Sequence, residues 1–317
     1  PGSYRSATIA GVPVIVVRQE DGALRAMVNT CRHRGAPLTQ DGVGSVNRVL
    51  SCPYHAWAYE LDGRLRGRPG SSGGFDDVTM DCNLVSLPVA EKYGLVFVRA
   101  GGGDPIDVDT HLAGAQDDLG SYGINDYVHI ETRTLTWDFN WKLVPDTFCE
   151  SYHVRTLHRN TLGPAFDSNA QIFDAFGPHM MHIGLRKDTI DQTNKPRDEW
   201  SLLERATVQY QLVPGALVVH QIDHLEVWRV YPRDVRTTET VVSVFAPTEP
   251  HSERSRNYFV KNLDLLLKVT GTEDFALMQQ IQANLDSGAT EQLVYGRNEP
   301  PLIHYHRELN HILAASA

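Results

Sequence analysis

The segment Asn140–His158, NWKLVPDTFCESYHVRTLH, carries three side chains that could bind a metal: Glu150, His153 and His158. Residues three apart on an α-helix differ by about 60°, and residues five apart by about 140°. Glu150 and His153 therefore share a face, and His158 joins them only if the helix bends or ends. With a carboxylate from elsewhere, the two imidazoles predict the two-histidine, one-carboxylate site of non-haem iron(II) oxygenases. The alternative is two histidines that make ordinary polar contacts.

Two earlier segments, CRHRGAPL and CPYHAWAY, each pair one cysteine with one histidine. Cys31 precedes His33 by two residues, Cys52 precedes His55 by three, and 18 residues separate the two pairs. Zinc fingers usually take a cysteine pair from one hairpin and a histidine pair from a helix. A mixed pair from each of two loops favours a Rieske [2Fe-2S] cluster, in which thiolates hold one iron and neutral imidazoles hold the other. A zinc site with two cysteines and two histidines is the competing interpretation.

A third candidate ligand lies near the C-terminus, in TGTEDFALMQQIQANL. Thr270 and Glu273 have capping-box spacing, which predicts a helix that begins there and places Asp274 in its first turn. Apolar residues follow Asp274 at helical spacing: Met278, Ile281 and Leu285. A buried carboxylate without a partner is costly, so a metal ligand is one interpretation of Asp274. The other is an acid that the helix N-terminus stabilises near solvent.

The elements that must position these residues fall into two groups. Ser6–Asn29 reads as a strand and hairpin pattern, and Gly67–Asp77 as a flexible surface loop. The run GGGDP at 101–105 marks a change of domain, which predicts domains over residues 1–103 and 104–317.

In the second domain, residues 111–122 can form a short helix, and Val128–Trp137 alternates as a strand. Residues 164–199 look irregular, which suggests a pocket wall with a mobile lid or an ordinary surface loop. Three later segments alternate as antiparallel strands with one covered face: ATVQYQLVPGALVVHQ, HLEVWRVYPR and TTETVVSVFAPT.

Composition limits the class of protein. The 317 residues are 41% hydrophobic and 21% charged, with a net charge of −10, which argues against a nucleic-acid partner. No apolar run is long enough to cross a bilayer and no export leader is visible, so we expect a cytoplasmic protein without a membrane partner. The four cysteines are too few for a disulfide scaffold. Pro1 falls inside a strand pattern, so we expect that an N-terminal piece is missing.

CRHRGAPL, CPYHAWAYELDGRL and NWKLVPDTFCESYHVRTLH together resemble the oxygenase (α) subunit of the Rieske non-haem iron oxygenases, over nearly the whole chain. The resemblance implies an α+β fold. An N-terminal all-β Rieske domain would precede a catalytic domain with an antiparallel sheet and helices, of the helix-grip (START/Bet v 1-like) kind.

The resemblance also assigns roles. Cys31 and Cys52 fall at the family's thiolate ligands, and His33 and His55 at its imidazole ligands. The mononuclear Fe(II) would be held by His153, His158 and Asp274, and Glu150 would link the two centres as a catalytic residue. Two positions depart from the family pattern: Ala56 replaces the usual glycine, and Glu150 replaces the aspartate of many members.

The implied activity is that of a terminal oxygenase. Electrons from NAD(P)H would arrive through a reductase, with or without a ferredoxin, and O₂ would be used to hydroxylate or dihydroxylate an aromatic or other apolar substrate. Monooxygenation or oxidative demethylation of a quaternary ammonium compound is the alternative. A homotrimer is implied, with or without a β subunit. Outside enzymes, the alternatives are a Rieske electron carrier and a ligand-binding protein.

Overall fold

The computed structural model describes residues 1–70, 72–201 and 203–316. The chain separates into two compact units, Pro1–His111 and Leu112–Ala317. The boundary expected from the glycine-rich run was at 103/104. The residues after that run still pack on the first unit: Lys92 pairs with Asp109, and the rings of Phe97 and His111 lie 5.7 Å apart. GGGDP is therefore a loop within the first unit.

The described residues of the first unit form ten strands: β1 (Ser3–Ile9), β2 (Val12–Arg18), β3 (Leu24–Val28), β4 (Gly42–Ser45), β5 (Val49–Ser51), β6 (Ala58–Glu60), β7 (Leu65–Gly67), β8 (Ser86–Leu87), β9 (Val89–Lys92) and β10 (Leu95–Val98). They form a five-stranded sheet in the order β4-β1-β2-β3-β8, a three-stranded sheet β5-β6-β7 and the hairpin β9-β10. All pairings are antiparallel.

Local sequence explains the turns of the first unit. The predicted strand pattern of Ser6–Asn29 is β1-β2-β3, and Gly11 and Gly22 adopt φ of +78° and +84° at its two turns. In the segment expected to be a loop, Gly67–Asp77, no described residue beyond Gly67 belongs to a strand, and Ser71 lies outside the described residues. The core below the sheets includes Ile15, Met27, Leu50, Tyr59, Cys31 and Cys52. The cysteine of each ligand loop, Cys31 and Cys52, is thus anchored in the core.

The second unit follows a helix at its boundary, α1 (Val108–Leu112). It contains α2 (Gln116–Ser121), β11 (Val128–Trp137), α3 (Leu143–Phe148), β12 (Phe166–Phe176), β13 (His179–Arg186), β14 (Ala206–Leu212), β15 (Ala216–His220), β16 (Leu225–Pro232), β17 (Thr238–Ala246), α4 (Glu253–Val269), α5 (Phe275–Asp286) and α6 (Pro300–Ser316). The strands form one antiparallel sheet in the order β11-β17-β16-β15-β14-β13-β12. The predicted α+β architecture is confirmed, and β11 has the predicted bounds.

The prediction that residues 164–199 are irregular was wrong for their first half. β12 and β13 occupy Phe166–Phe176 and His179–Arg186, and 3₁₀ turns follow at Lys187–Asn194 and Arg197–Glu199. β12 is an edge strand that pairs only with β13 among the described strands, and its register shifts between Phe166 and Gln171. An edge strand with a shift can carry polar residues on both faces, so the alternation that reveals a strand is lost.

The helix expected to begin at Thr270 begins much earlier. Ser252 caps α4 by accepting a hydrogen bond from the Ser255 amide at 3.2 Å, and the helix continues through a π-helical turn, Thr270–Asp274, into α5. The capping-box assignment of Thr270 and Glu273 was therefore wrong. π-helical turns are rare, and they occur frequently at functional sites.

One face of the sheet packs against the long helix that α4, the π-helical turn and α5 form together. Phe139, Trp228, Val242, Leu263 and Phe275 are almost fully buried in the same cluster. Burial of each such side chain contributes about 1.5–3 kcal/mol, so the sheet and helix are held firmly together. Among the described residues, none of the helices combines the length and hydropathy that a bilayer span requires.

Candidate metal centres

The segment that carries Glu150, His153 and His158 is a broken helix. α3 ends at Phe148, a 3₁₀ turn covers Tyr152–Arg155, and His158 lies in the next turn. The amides of Thr161 and Gly163 donate to the His158 carbonyl at 3.0 and 2.8 Å. A Cβ on Gly163 would lie 2.9 Å from that carbonyl oxygen, so glycine allows this close turn. The break supplies the bend that the spacing of the two histidines requires.

The structure brings His153, His158 and Asp274 together. Nε2 of His153 lies 3.4 Å from Oδ1 of Asp274, and Nε2 of His158 lies 3.1 Å from the same oxygen. One ligand atom from each of the three residues lies within 4.8 Å of the others. His158 and Asp274 are buried and His153 is partly buried. Asp274 reaches the histidines from the π-helical turn of the long helix.

Other carboxylates contact Nδ1 of each imidazole, the ring nitrogen that does not face Asp274. Nδ1 of His153 contacts Glu150, whose second oxygen also accepts the His153 amide at 3.1 Å. Nδ1 of His158 lies 2.6 Å from Oε2 of Glu273. Metal-binding histidines almost always donate their other ring N–H in this way, which sets the tautomer and the ring orientation. Both rings therefore present Nε2 to the same point.

Hydroxyl groups complete the surroundings of the acids. The Thr147 hydroxyl donates to Oδ1 of Asp274 at 3.1 Å, and the Thr161 hydroxyl donates to Oε2 of Glu273 at 2.8 Å. Sequence reasoning identified neither hydroxyl, and it assigned Glu273 to a helix cap. The adjacent acids at 273 and 274 were the available signal, since neighbouring carboxylates on a buried helix rarely lack partners.

The charges at this centre suit a cation. Burial raises the pKa of Asp274, but its hydrogen bonds with His153 and His158 outweigh burial and bring it to about 2. Burial lowers the pKa of His153, but Asp274 and Glu150 reverse this and raise it to about 9. The acids thus attract positive charge strongly. Two imidazoles and one carboxylate, with coordination positions left over, fit a mononuclear Fe(II).

The two cysteine–histidine loops share one backbone pattern. The Cys31 carbonyl accepts from the Gly35 amide at 2.9 Å, and the Cys52 carbonyl accepts from the Ala56 amide at 3.0 Å. Gly35 has φ +77° and Ala56 has φ +57°. Ala56 therefore occupies a left-handed position that favours glycine, at a cost of about 1–2 kcal/mol. The fold accommodates this departure from the family pattern.

The side chains of these loops fit a cluster with two kinds of ligand. Cys31 and Cys52 are free thiols buried in the core, and the rings of His33 and His55 lie 4.6 Å apart. Nδ1 of His33 is buried without a hydrogen-bond partner among the described residues. A buried imidazole nitrogen without a partner is costly, and a metal would satisfy it.

A tyrosine supports the first loop. The Tyr59 hydroxyl lies 3.3 Å from Sγ of Cys31 and accepts the Arg32 amide at 3.0 Å. Since its lone pair is engaged by that amide, the hydroxyl hydrogen is free to point to the sulfur. Hydrogen bonds to ligand sulfurs are among the features that set the reduction potential of iron–sulfur clusters.

A cavity of about 400 Å³ lies beside His153. Residues of α3 and of the segment 150–157 line one part of it, and residues of α5, of the segment before α6 and of the start of α6 line the rest. Most of the lining side chains are apolar: Leu143, Leu157, Leu277, Met278, Ile281, Leu285, Leu293, Val294 and Leu302. Its volume is within the range of small-molecule sites.

Comparison with curated proteins gives three informative relatives. The chain is 35% identical to the glycine betaine monooxygenase oxygenase subunit of Chromohalobacter salexigens over 51% of this chain and 36% of the relative. It is 30% identical to the carnitine monooxygenase oxygenase subunit of Escherichia coli K12, over 56% of this chain and 46% of the relative. It is 31% identical to the chlorobenzene dioxygenase α subunit of Cupriavidus sp. PS12, over 49% of this chain and 36% of the relative. The matches span less than half of the length of each relative.

Solved structures agree on the fold. A quaternary ammonium Rieske monooxygenase described for carnitine oxidation superposes with a TM-score of 0.82 at 21% identity, covering 98% of this chain and 84% of that chain. Naphthalene 1,2-dioxygenase with bound indole superposes with a TM-score of 0.75 at 18% identity, covering 98% of this chain and 83% of that chain.

Two family models match in the order expected from the motifs. The Rieske [2Fe-2S] domain matches residues 1–87, and the ring hydroxylating alpha subunit catalytic domain matches residues 124–315. The two matches confirm the resemblance drawn from the motifs and the two predicted cofactors, a Rieske cluster and a mononuclear iron. The chain belongs to the family of ring-hydroxylating oxygenase α subunits that carry a Rieske domain.

Proposed function

We propose that the chain is the terminal oxygenase of a multicomponent system that uses O₂ and electrons from NAD(P)H to oxidise an organic substrate. Cys31, His33, Cys52 and His55 would hold the cluster, and His153, His158 and Asp274 would hold the mononuclear iron. The observation that carries the proposal is the convergence of His153 and His158 on one oxygen of Asp274. A chain that only carries electrons has no need of this second centre.

The protein's own groups would have separate tasks. When bound, the cluster supplies single electrons and the mononuclear Fe(II) supplies oxygen activation. Glu150 and Glu273 orient the two imidazoles through Nδ1, and Thr147 holds the Asp274 carboxylate in place. The apolar wall of the cavity keeps the substrate and the reacting groups away from bulk water.

We favour oxidation of a methylated ammonium compound as the reaction. Two relatives at 35% and 30% identity are monooxygenase subunits named for glycine betaine and carnitine. The sequence alone favoured an aromatic or other apolar substrate, with a quaternary ammonium compound as the alternative, and the relatives reverse that order. Hydroxylation of an N-methyl group followed by loss of formaldehyde would give the demethylated amine.

Aromatic dioxygenation is the second candidate. The 31% identity with a chlorobenzene dioxygenase α subunit and the many leucines of the cavity favour it. The two reactions differ in their products, because demethylation releases formaldehyde and ring dioxygenation gives a cis-diol.

The proposed partners are an NAD(P)H-dependent reductase and, where needed, a ferredoxin. We also propose a homotrimer, with or without a β subunit, in which the cluster of one chain serves the iron of its neighbour. Glu150 would accept a hydrogen bond from His55 of the next chain. The exposed ring of His55 and the Glu150–His153 contact are compatible with this arrangement.

Metal analysis of the reconstituted protein is the first test. The oxygenase predicts about three irons and two acid-labile sulfides per chain, whereas an electron carrier predicts about two irons and an empty second site. A ligand-binding protein would hold neither centre. Absence of the low-g electron paramagnetic resonance signal of a histidine-ligated cluster would contradict the proposal.

The second test concerns Glu150. Glu150→Gln should retain both metals and lose most NADH-coupled product formation. Exposed Glu249 offers a matched control, because Glu249→Gln makes the same chemical change far from the candidate ligands in the sequence. Normal turnover in Glu150→Gln would remove Glu150 from the electron route.

A further inference from the structure

The cavity beside His153 has an unusual balance of charge. Three carboxylates line it, from Asp146, Glu150 and Glu299, together with the aromatic ring of Tyr295. Among its described lining residues there is no lysine and no arginine. An aliphatic wall with carboxylates and an aromatic ring is suited to a cation that carries methyl groups, because the ring face and the carboxylates both attract positive charge.

The three carboxylates are not equally available to a substrate. Glu150 contacts His153 and faces the proposed metal, whose charge would offset it. Asp146 lies 2.6 Å from Nε2 of His306, so its carboxylate already has a hydrogen-bond partner. Glu299 has no cationic partner among the ion pairs of the described residues; its Oε2 accepts only the Gly296 amide, at 2.5 Å. Glu299 is therefore the acid best placed to pair with a substrate cation.

Among its described lining residues, the same wall offers no lysine or arginine to match a carboxylate, and its neutral donors include Thr147, Asn284 and Thr290. Glycine betaine and carnitine each carry a carboxylate as well as the ammonium group. A protein normally holds a carboxylate with arginine, lysine or convergent N–H donors. Here that group would meet leucines, three acids and a few neutral donors, and the like charges would disfavour it.

We propose that the substrate is a methylated ammonium cation without a carboxylate, held between the Glu299 carboxylate and one face of the Tyr295 ring. The His306 ring stacks on the other face of Tyr295, with the ring centroids 5.1 Å apart. This inference rests on the proposed function and narrows its substrate class. It sets the chain apart from the substrates for which two of its relatives are named.

A matched pair of ligands tests the proposal. Butyltrimethylammonium and γ-butyrobetaine differ only in whether the fourth carbon is a methyl group or a carboxylate, and 2,2-dimethylhexane is the neutral isostere of the first. Calorimetric binding to the metal-loaded protein under anaerobic conditions should show at least a tenfold preference for butyltrimethylammonium over both. Equal or tighter binding of γ-butyrobetaine or of the neutral isostere would overturn the proposal, and so would failure of butyltrimethylammonium to bind.

Two variants locate the selectivity in the cavity wall. Glu299→Gln should weaken butyltrimethylammonium binding about tenfold, and Glu291→Gln, an exposed acid outside the lining, should leave it unchanged. Glu299 immediately precedes α6, so a second variant guards against a folding effect. Leu293→Arg places a cation at an exposed position of the lining and should shift the preference toward γ-butyrobetaine. Unchanged preference in both variants would contradict the assigned site.

The proposed function and this narrower inference fail in different ways. Formaldehyde release from γ-butyrobetaine but not from butyltrimethylammonium would leave the oxygenase assignment intact and overturn only the substrate class. A protein that lacks the second iron, or gives no product with any ammonium or aromatic compound, would overturn the function itself.

Discussion

Oε2 of Glu273 lies 2.6 Å from Nδ1 of His158, so the residue directly before the third candidate ligand orients the second one. The two acids are neighbours in sequence but face different atoms of the same centre: Asp274 meets Nε2 of His158 and Glu273 meets its Nδ1. The π-helical turn that contains both residues makes this possible.

Loss of the Glu273 carboxylate should weaken metal binding. Glu273→Ala frees the His158 ring to rotate and lowers the basicity of its Nε2, so we expect about a 10–100-fold loss of Fe(II) affinity. Competition with a chelator under anaerobic conditions measures this. Thr161→Val removes only the hydroxyl that supports Glu273 and should have a smaller effect. Equal affinity in the wild type and Glu273→Ala would show that the contact is incidental.

The hydrogen bond from Tyr59 to Cys31 should raise the reduction potential of the cluster. A hydrogen bond worth about 1 kcal/mol corresponds to about 40 mV for a one-electron couple. Tyr59→Phe should therefore lower the midpoint potential by roughly this amount, as measured by redox titration of the visible spectrum. Tyr231→Phe, in the second unit, serves as the control. A potential that does not fall in Tyr59→Phe would mean that the hydroxyl does not act on the sulfur.

The π-helical turn depends on a small residue at position 271. A Cβ there would lie 3.1 Å from Cη2 of Trp137, which is tighter than ordinary contact. Gly271→Val should destabilise the protein by about 1–3 kcal/mol, through overpacking of this site. Gly184→Val is a suitable comparison, because no atom lies within 4 Å of its Cβ position. Thermal or urea unfolding of both variants decides whether crowding or loss of glycine is responsible.

His224 should make stability depend on pH. Burial lowers its pKa, but Glu226 and Asp223 outweigh burial and raise it above 6.5, while nearby His220 is itself a titratable neighbour. Because the pKa of His224 is raised in the folded state, its contribution to the free energy of unfolding is fully present below pH 6.5. That contribution is lost as the pH rises through the pKa of the folded state. The difference in melting temperature between the wild type and His224→Gln should therefore shrink from pH 6 to pH 8.5. A difference that grows would contradict this sign.

The sequence predicts candidate ligands where the chemistry depends on local spacing. The cysteine–histidine pairs and the two histidines of the broken helix are short-range patterns, and their identification needed no knowledge of the fold. Glu273 was misassigned because a capping box and a second carboxylate beside a ligand have the same local appearance. Only the approach of His158, 115 residues away in sequence, distinguishes them.

Long-range contacts also explain the other misses. β12 looked irregular because an edge strand need not alternate. The charge of the cavity could not be predicted, because Asp146 and Glu299 meet there only after α3 and the segment before α6 come together. Ala56 illustrates the reverse case: its departure from glycine was visible at once, and the structure adds that the backbone there is left-handed.

The π-helical turn also aligns the two halves of the long helix. Leu263 and Phe275 are both buried in the core of the second unit, yet twelve residues in a regular α-helix would set them about 120° apart. The wide turn absorbs roughly one extra residue and brings both onto nearly the same side. Removal of one residue from this turn would leave eleven residues, which a regular α-helix already sets about 20° apart. Such a deletion would therefore keep Phe275 on the core side and change the placement of the two acids in the turn, Glu273 and Asp274.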